Sequence, residues 1–269
     1  MVLNQLLQFE NMSDIQRIQA IESILMANGA KRIEKTSRRK KNLSNIFYLR
    51  QGVPYVFVVI INRDKGYYTW TLIDYSTYQE LVVKQNQIFR AEQCHHEKKW
   101  SIQYGAANVR VHDFVLPNAS AVDHICGNKS VNIRELLRPC TPQENMKNVL
   151  RYCNVDKKNK LFYMKDPNTT PEDRIRLAQL GFTIKHLAKG DYIYSPSYNT
   201  LGECYTMINQ FEHHYFGAFA FNPLVNYEYT WHALVLQKML GCMSDLELME
   251  YNRSYWIRRR PDDAEYYML

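Results

Sequence analysis

The chain has 269 residues, of which 46% are hydrophobic and 23% charged, and carries a formal charge of +7 with a sequence pI near 9.0. Its mean hydropathy is -0.45 and its longest apolar run is Val56–Ile61, far short of the about 20 apolar residues a membrane helix needs. The basic balance fits a polyanionic partner.

The first residues, Met1–Phe9, lack a positive n-region and a sustained apolar core, so the expected location is cytoplasmic and not secreted. The six cysteines include no C-x-x-C pair. A structural zinc site is therefore not expected, Cys94-His95-His96 included, and reduced thiols are.

Ser13 opens a helical pattern through Ile15, Ile18, Ile21 and Ile24/Leu25 that closes at Asn28-Gly29. That is an N-cap, an apolar stripe and a C-cap. A cationic stretch follows: Lys31, Arg32, Lys35, Arg38, Arg39, Lys40 and Lys41 stand against Glu34 alone. It reads as a solvated surface, or as phosphate contacts if a phosphate-handling centre accompanies it. Tyr55–Asn62 and Tyr67–Ile73 read as a hairpin around Asn62-Arg63-Asp64-Lys65-Gly66. Trp100–Tyr104 and Val109–Leu116 read as a second strand pair.

Three helix starts stand out. Thr141-Pro142-Gln143-Glu144 has the form of a capping box, and the following Met146, Val149, Leu150 and Cys153 would form one buried stripe. Thr170-Pro171-Glu172-Asp173 opens a helix that stops at Gly181, and Thr200-Leu201-Gly202-Glu203 one that stops at Gly217 with Cys204, Met207, Ile208 and Phe211 inward. Between those two lie Phe182–Leu187, a turn at Ala188-Lys189-Gly190-Asp191, and Tyr192–Ser195, a short hairpin. After Pro223, Trp231–Leu240 is helical in pattern, and the tail ends in an aromatic, basic segment with Arg258, Arg259 and Arg260.

The chemistry concentrates between Val122 and Asn148. Asp123-His124 ends an expected strand, where neighbouring side chains point to opposite faces. One can then face a metal and the other a water. The capped helix would carry Asn145 near its N-terminal end, which favours an anion such as phosphate. Asp and Asn supply hard oxygen donors of the kind Mg²⁺ takes, and an imidazole can accept a proton from water near neutral pH.

The order Asp123-His124-Ile125, Gly127-Asn128, Asn132, Glu135, Leu137-Arg138, Thr141, Asn145 and Asn148 resembles the HNH endonucleases of the His-metal-finger group, particularly the phage and intron-encoded homing enzymes. Asn145 follows His124 by 21 positions, as in that pattern. More weakly, Leu72-Ile73-Asp74-Tyr75 with Tyr78 looks like the family's short helix before the motif, and Val111-His112-Asp113-Phe114-Val115 like its following strand. His214-Tyr215-Phe216-Gly217-Ala218-Phe219-Ala220 resembles the ending of a sheet-plus-helix DNA-binding module.

The resemblance implies an α+β fold: a ββα-metal core with a small flanking sheet and a C-terminal sheet-plus-helix module. The implied division is 1–45 (N-terminal helix and basic segment), 46–160 (nuclease-like domain), 161–222 (DNA-binding-like module) and 223–269 (helical tail). It further implies a metal-dependent endonuclease or nickase acting on double-stranded DNA with one Mg²⁺ or Mn²⁺ ion. His124 would be the general base, and Asp123 and Asn145 the ion's ligands. Arg134, Arg138 and Lys147, with Arg38, Arg39, Lys40 and Lys41, would contact DNA, the alternative for Arg134 and Arg138 being a surface or salt-bridging arginine. His112 would line the site or serve as a satisfied structural histidine.

One position departs from the family. Leu136 stands where the middle Asn braces the histidine loop, and Asn128 or Asn132 would have to compensate. Two rivals follow: a catalytically inactive DNA-binding protein of this ancestry, and an interaction subunit of a larger assembly. The second would use the unmatched termini and the 20 tyrosines as partner surfaces.

Overall fold

Local signals start the fold. The Ser13 hydroxyl accepts the Gln16 N–H, while the Gln16 side chain accepts the Ser13 N–H at 2.8 Å. This reciprocal cap satisfies two N–H groups that a helix start otherwise leaves open. The computed structural model describes residues 3–37, 42–49, 52–93, 100–148, 153–166 and 169–268.

In chain order the elements are helices α1 (Leu3–Glu10) and α2 (Asp14–Ala27), then strands β1 (Lys31–Thr36), β2 (Asn42–Tyr48), β3 (Tyr55–Asn62) and β4 (Tyr67–Asp74). The turn α3 (Tyr75–Tyr78) runs on as a π-helical stretch, Gln79–Lys84, to β5 (Phe89–Gln93), β6 (Trp100–Tyr104), β7 (Val109–Arg110) and α4 (Val111–Val115). Next come β8 (Ala121–His124), β9 (Val131–Asn132), β10 (Leu137–Cys140) and the single-turn helix α5 (Pro142–Asn145). Then follow β11 (Asn154–Asp156), β12 (Leu161–Lys165), α6 (Pro171–Gln179), β13 (Thr183–Leu187), β14 (Gly190–Tyr194) and α7 (Leu201–Phe216), and last α8 (Trp231–Leu240), α9 (Asp245–Arg259) and α10 (Ala264–Met268). The architecture is mixed α+β.

The chain forms two compact units, Met1–Pro142 with Val225–Asn252, and Gln143–Leu224 with Arg253–Leu269. The first is built on a five-stranded sheet of order β1-β2-β3-β4-β9, antiparallel except for the parallel β4–β9 pair. Its central strands are buried on both faces, so alternate residues feed two cores. Phe57 and Val59 join Ile18, Ile21, Leu25, Leu234 and Leu236 of α2 and α8. Val56, Val58 and Ile60 join Tyr78, Leu81, Phe89 and Ile102 on the other side. Helix α8 is buried nearly all round, as its unbroken apolar run requires. The edge strand β1 is polar and cationic, which discourages pairing with another chain. The stretch read as solvated surface is, over Lys31–Thr36, this edge strand.

The second unit has a sheet of order β11-β12-β14-β13, antiparallel throughout. Phe162, Met164, Leu177, Ile193, Ile208 and Phe211 pack there with Tyr255 and Trp256. Thr170 and Thr200 cap their helices through reciprocal bonds with Asp173 and Glu203.

Three expectations are corrected. Val111–Val115 is a helix, not a strand: Val111 and Val115, four apart, share its buried face. Likewise, Leu72–Asp74 belongs to β4 and the short helix begins only at Tyr75. Finally, the helix expected after Thr141 is one turn, Pro142–Asn145, and Met146 is 67% exposed. The expected inward stripe is therefore not formed at its first position. Val149 and Leu150 of that stripe, like Arg38, Arg39, Lys40, Lys41, Cys94, His95 and His96, lie outside the described residues.

Candidate functional site

Strands β8 and β10 pair antiparallel, with Arg138 opposite Asp123 and Leu137 opposite His124. Directly opposed residues share a face. The Arg138 guanidinium therefore meets the Asp123 carboxylate, with Nε and Nη2 each 2.6 Å from Oδ2. Asp123 is 3% exposed and His124 7%, so the pair interacts with little water between and around it.

Being next in the strand, His124 faces the other way. Its Nε2 lies 3.4 Å from Asn132 Oδ1, and the His112 ring stands edge-on to it with centroids 5.0 Å apart. His112 projects from α4, its Nε2 3.5 Å from Asp113 Oδ1. Burial lowers the His112 pKa, and the Asp113 charge offsets this in part. The imidazole is thus biased towards its neutral form.

The loop after His124 is tied down from two sides. From the central sheet, Thr71 Oγ1 donates to the Ser130 carbonyl at 2.7 Å. Asn132 Nδ2 donates to Thr71 Oγ1 at 3.0 Å and to the Lys129 carbonyl at 3.2 Å. The other side is the segment before α8, where the Tyr227 N–H donates to the Cys126 carbonyl at 3.0 Å. Gly127 has φ +68°, and a Cβ there would sit 2.4 Å from Asn226 Nδ2. Only a residue without a side chain fits such backbone beside such a neighbour. Asn226 is fixed in turn by Asn252, whose Nδ2 donates to the Asn226 carbonyl at 3.0 Å and whose Oδ1 accepts from Thr230 at 2.6 Å.

Leu136 makes no side-chain hydrogen bond to this loop. Its carbonyl accepts the Ile125 N–H at 3.0 Å, and its side chain packs on the first core. Of the two residues considered as substitutes, Asn132 faces the imidazole directly. Asn128 closes the loop upon itself, its Oδ1 accepting the Ser130 N–H at 2.9 Å.

The remaining candidate residues are dispersed. Arg134 donates from Nη1 to the Val115 carbonyl at 2.8 Å, and its N–H meets Asp74 at 2.9 Å, so it fastens β10's approach to α4 and β4. Asn145 and Lys147 belong to the second unit. Asn145 is exposed at the end of α5, and Lys147 Nζ lies 5.6 Å from the Phe216 ring centroid.

As donors, the Asp123 carboxylate and a carboxamide suit a hard divalent ion, with Arg138 as the competitor that already neutralises Asp123. Among the described residues, no three His, Cys, Asp or Glu side chains are grouped to hold a metal. The expected ligand set, one carboxylate and one carboxamide, is not of that kind.

Sequence reasoning missed two parts of this arrangement. The Arg138–Asp123 pair depends on strand register, and the contact of Asn226–Glu228 with the loop joins residues about a hundred positions apart; no local signal marks either. The chain matches no protein-family model, no curated protein and no solved structure.

Proposed function

We propose that this chain is a metal-dependent DNA endonuclease or nickase of the HNH homing type, hydrolysing one phosphodiester bond. The observation that carries the reading is the buried Asp123-His124 pair at the end of β8, its histidine flanked by His112 and Asn132 and its loop fastened at both ends. Such immobilisation holds a base ready for a positioned water. The succession β8, β10, α5 has the chain order of a ββα-metal core. The second unit, with its sheet and the helix α7, would be the DNA-binding module.

On this reading His124 takes the proton of the attacking water, and His112, kept neutral by burial, shapes the imidazole's surroundings without adding charge. Asp123 and Asn145 would hold one Mg²⁺ or Mn²⁺ ion, which when bound supplies Lewis-acid stabilisation of the leaving oxygen. Arg138 would exchange Asp123 for a DNA phosphate. Arg134, Lys147 and the run Arg38–Lys41 would add phosphate contacts on double-stranded DNA. A cytoplasmic setting agrees with the free thiols of Cys126, Cys140, Cys153, Cys204 and Cys242. No helix of the described residues is long and apolar enough to cross a membrane.

A second reading, a DNA-binding protein without hydrolysis, is favoured by one observation: Asp123 is already neutralised by Arg138, with Leu136 leaving the loop without the family's brace. Incubating supercoiled plasmid with the protein and Mg²⁺ or Mn²⁺, beside His124→Ala, decides between them. The nuclease reading expects metal-dependent nicking that vanishes in the variant. Gel-shift binding without nicking, equal in both proteins, overturns it in favour of the second.

A further inference from the structure

In the first unit, well away in sequence from Asp123-His124, the ends of two sheets enclose a cleft of about 720 Å³. Its chemistry is unlike that of an apolar crevice. On the five-stranded sheet Asn42, Asn62 and Tyr67 stand in one register row across β2, β3 and β4, their strands about 4.8 Å apart. On the facing three-stranded sheet Arg90 stands opposite Gln103, and Trp100 opposite Gln93. The Tyr67 and Trp100 rings touch, with centroids 4.5 Å apart, and Tyr67 is held by its hydroxyl bond to the Ala91 carbonyl at 2.7 Å.

Each group has a counterpart in one ligand class. Asn and Gln carboxamides present a donor and an acceptor side by side, the pattern that matches a base edge. Gln103 Nε2 is held by the Glu92 carboxylate, which also lines the cleft, at 2.7 Å, and Asn62 Oδ1 accepts the Lys65 N–H at 3.0 Å, so Asn42 and Gln93 are the carboxamides left for a base. An aromatic platform stacks on any base. Arg90 and the exposed Lys65 supply cations for a phosphate. Arg90 is not fully used within the protein: it reaches Asn108 at 3.4 Å, but its buried Nε has no partner. In the chain, Arg38, Arg39, Lys40 and Lys41 immediately precede Asn42. The volume lies within the roughly 300–1,000 Å³ of small-ligand sites, enough for a nucleotide and too small for a duplex.

We propose that this cleft binds an unpaired nucleotide of a nucleic-acid strand, its base stacked against Trp100 and read by the carboxamides, its phosphate against Lys65 and Arg90. The inference does not require that Asp123-His124 hydrolyse anything.

Tryptophan fluorescence tests it directly, because Trp70, Trp231 and Trp256 are buried and Trp100 is the partly exposed one. The probes are a dA dodecamer, an RNA dodecamer of the same sequence and a 12-base-pair duplex, each also followed by anisotropy of a labelled copy. Expected are saturable quenching by a single strand that is absent in Trp100→Phe, and affinity at least about tenfold weaker in Trp100→Ala and in Lys65→Ala/Arg90→Ala. Comparing the DNA and RNA strands identifies which sugar is accepted. Circular dichroism confirms that each variant is folded, and Trp100→Phe, which keeps a ring, should bind within a few-fold of the parent. His124→Ala should quench as the parent does, so that loss of nicking and loss of this site are read separately. Binding without tryptophan quenching, equal affinity for duplex and single strand, or no binding overturns the proposal.

Discussion

Replacing Arg138 by Gln should destabilise the first unit by about 3 kcal/mol. Removing one partner of a buried ion pair costs about 3–5 kcal/mol, because the charge left behind is neither solvated nor compensated. Asp123 is almost wholly buried, whereas the Arg138 side chain is 18% exposed, which admits some water and sets the value at the low end. With a urea dependence of about 1–3 kcal/mol per molar, the midpoint should fall by about 1–3 M. Three of the four tryptophans, Trp70, Trp100 and Trp231, belong to this unit, so fluorescence reports its transition.

Two further arms sharpen the test. Asp123→Leu/Arg138→Met removes both charges and should recover to within about 1 kcal/mol of the parent, since an apolar pair of similar volume replaces an ionic one at little cost. Adding Mg²⁺ should raise the midpoint of Arg138→Gln by more than that of the parent, because an ion binding the liberated carboxylate favours the folded state by about 2.7 kcal/mol at a hundredfold excess over its dissociation constant. An unchanged midpoint in Arg138→Gln, or a double variant as unstable as the single one, would refute the reasoning that Arg138 is what compensates Asp123.

Four other outcomes are expected. His232 is buried, stacked on Phe9 and 3.1 Å from the Tyr251 hydroxyl, and burial pushes its pKa down to about 3. Since the unfolded histidine titrates near 6.5, its contribution is complete above that pH and lost below it, by about 1.4 kcal/mol per pH unit; denaturation at pH 7 and 5 should show a smaller acid penalty for His232→Phe. Gly127→Ala should cost about 2 kcal/mol from its positive φ and the clash with Asn226, and adding Asn226→Ala should return part of that in thermal unfolding. Thr170→Ala should lower the stability of the second unit by about 1 kcal/mol, measurable by urea titration followed at Trp256. Met146→Glu should change stability by less than about 0.5 kcal/mol; a loss of several would restore the longer helix expected from the sequence.

What could be read beforehand was what short stretches encode. The helices at Asp14–Ala27, Pro171–Gln179, Leu201–Phe216 and Trp231–Leu240 announce themselves through caps and periodicity, and the β3–β4 hairpin through its apolar runs and Gly66 turn. Strand β1 was hidden because an edge strand has no face that must be apolar. In Val111–Val115 the β-branched ends suggested a strand, although their spacing of four is equally a helical one. The helix start at Thr141-Pro142 was readable, but a start signal does not specify how many turns follow. At the site, Asp123-His124 at a strand end was legible; that Asn132 lies against the imidazole is a finding of the structure. That Arg138 could be a salt-bridging arginine is legible too, but its partner, Asp123, requires knowing which residue lies across the ladder.

The strap formed by Asn226, Tyr227 and Asn252 around the His124 loop also has a temporal meaning. During synthesis, residues 1–142 emerge with the Asp123-His124 strand already present, yet the piece that secures its loop arrives only after residues 143–252 have been added. At about 5–20 residues per second that interval is roughly 5 to 20 seconds, in which the loop after His124 lacks the bond from Tyr227. A polypeptide released early, anywhere short of Asn252, would therefore carry Asp123-His124 without the strap that holds the loop after it.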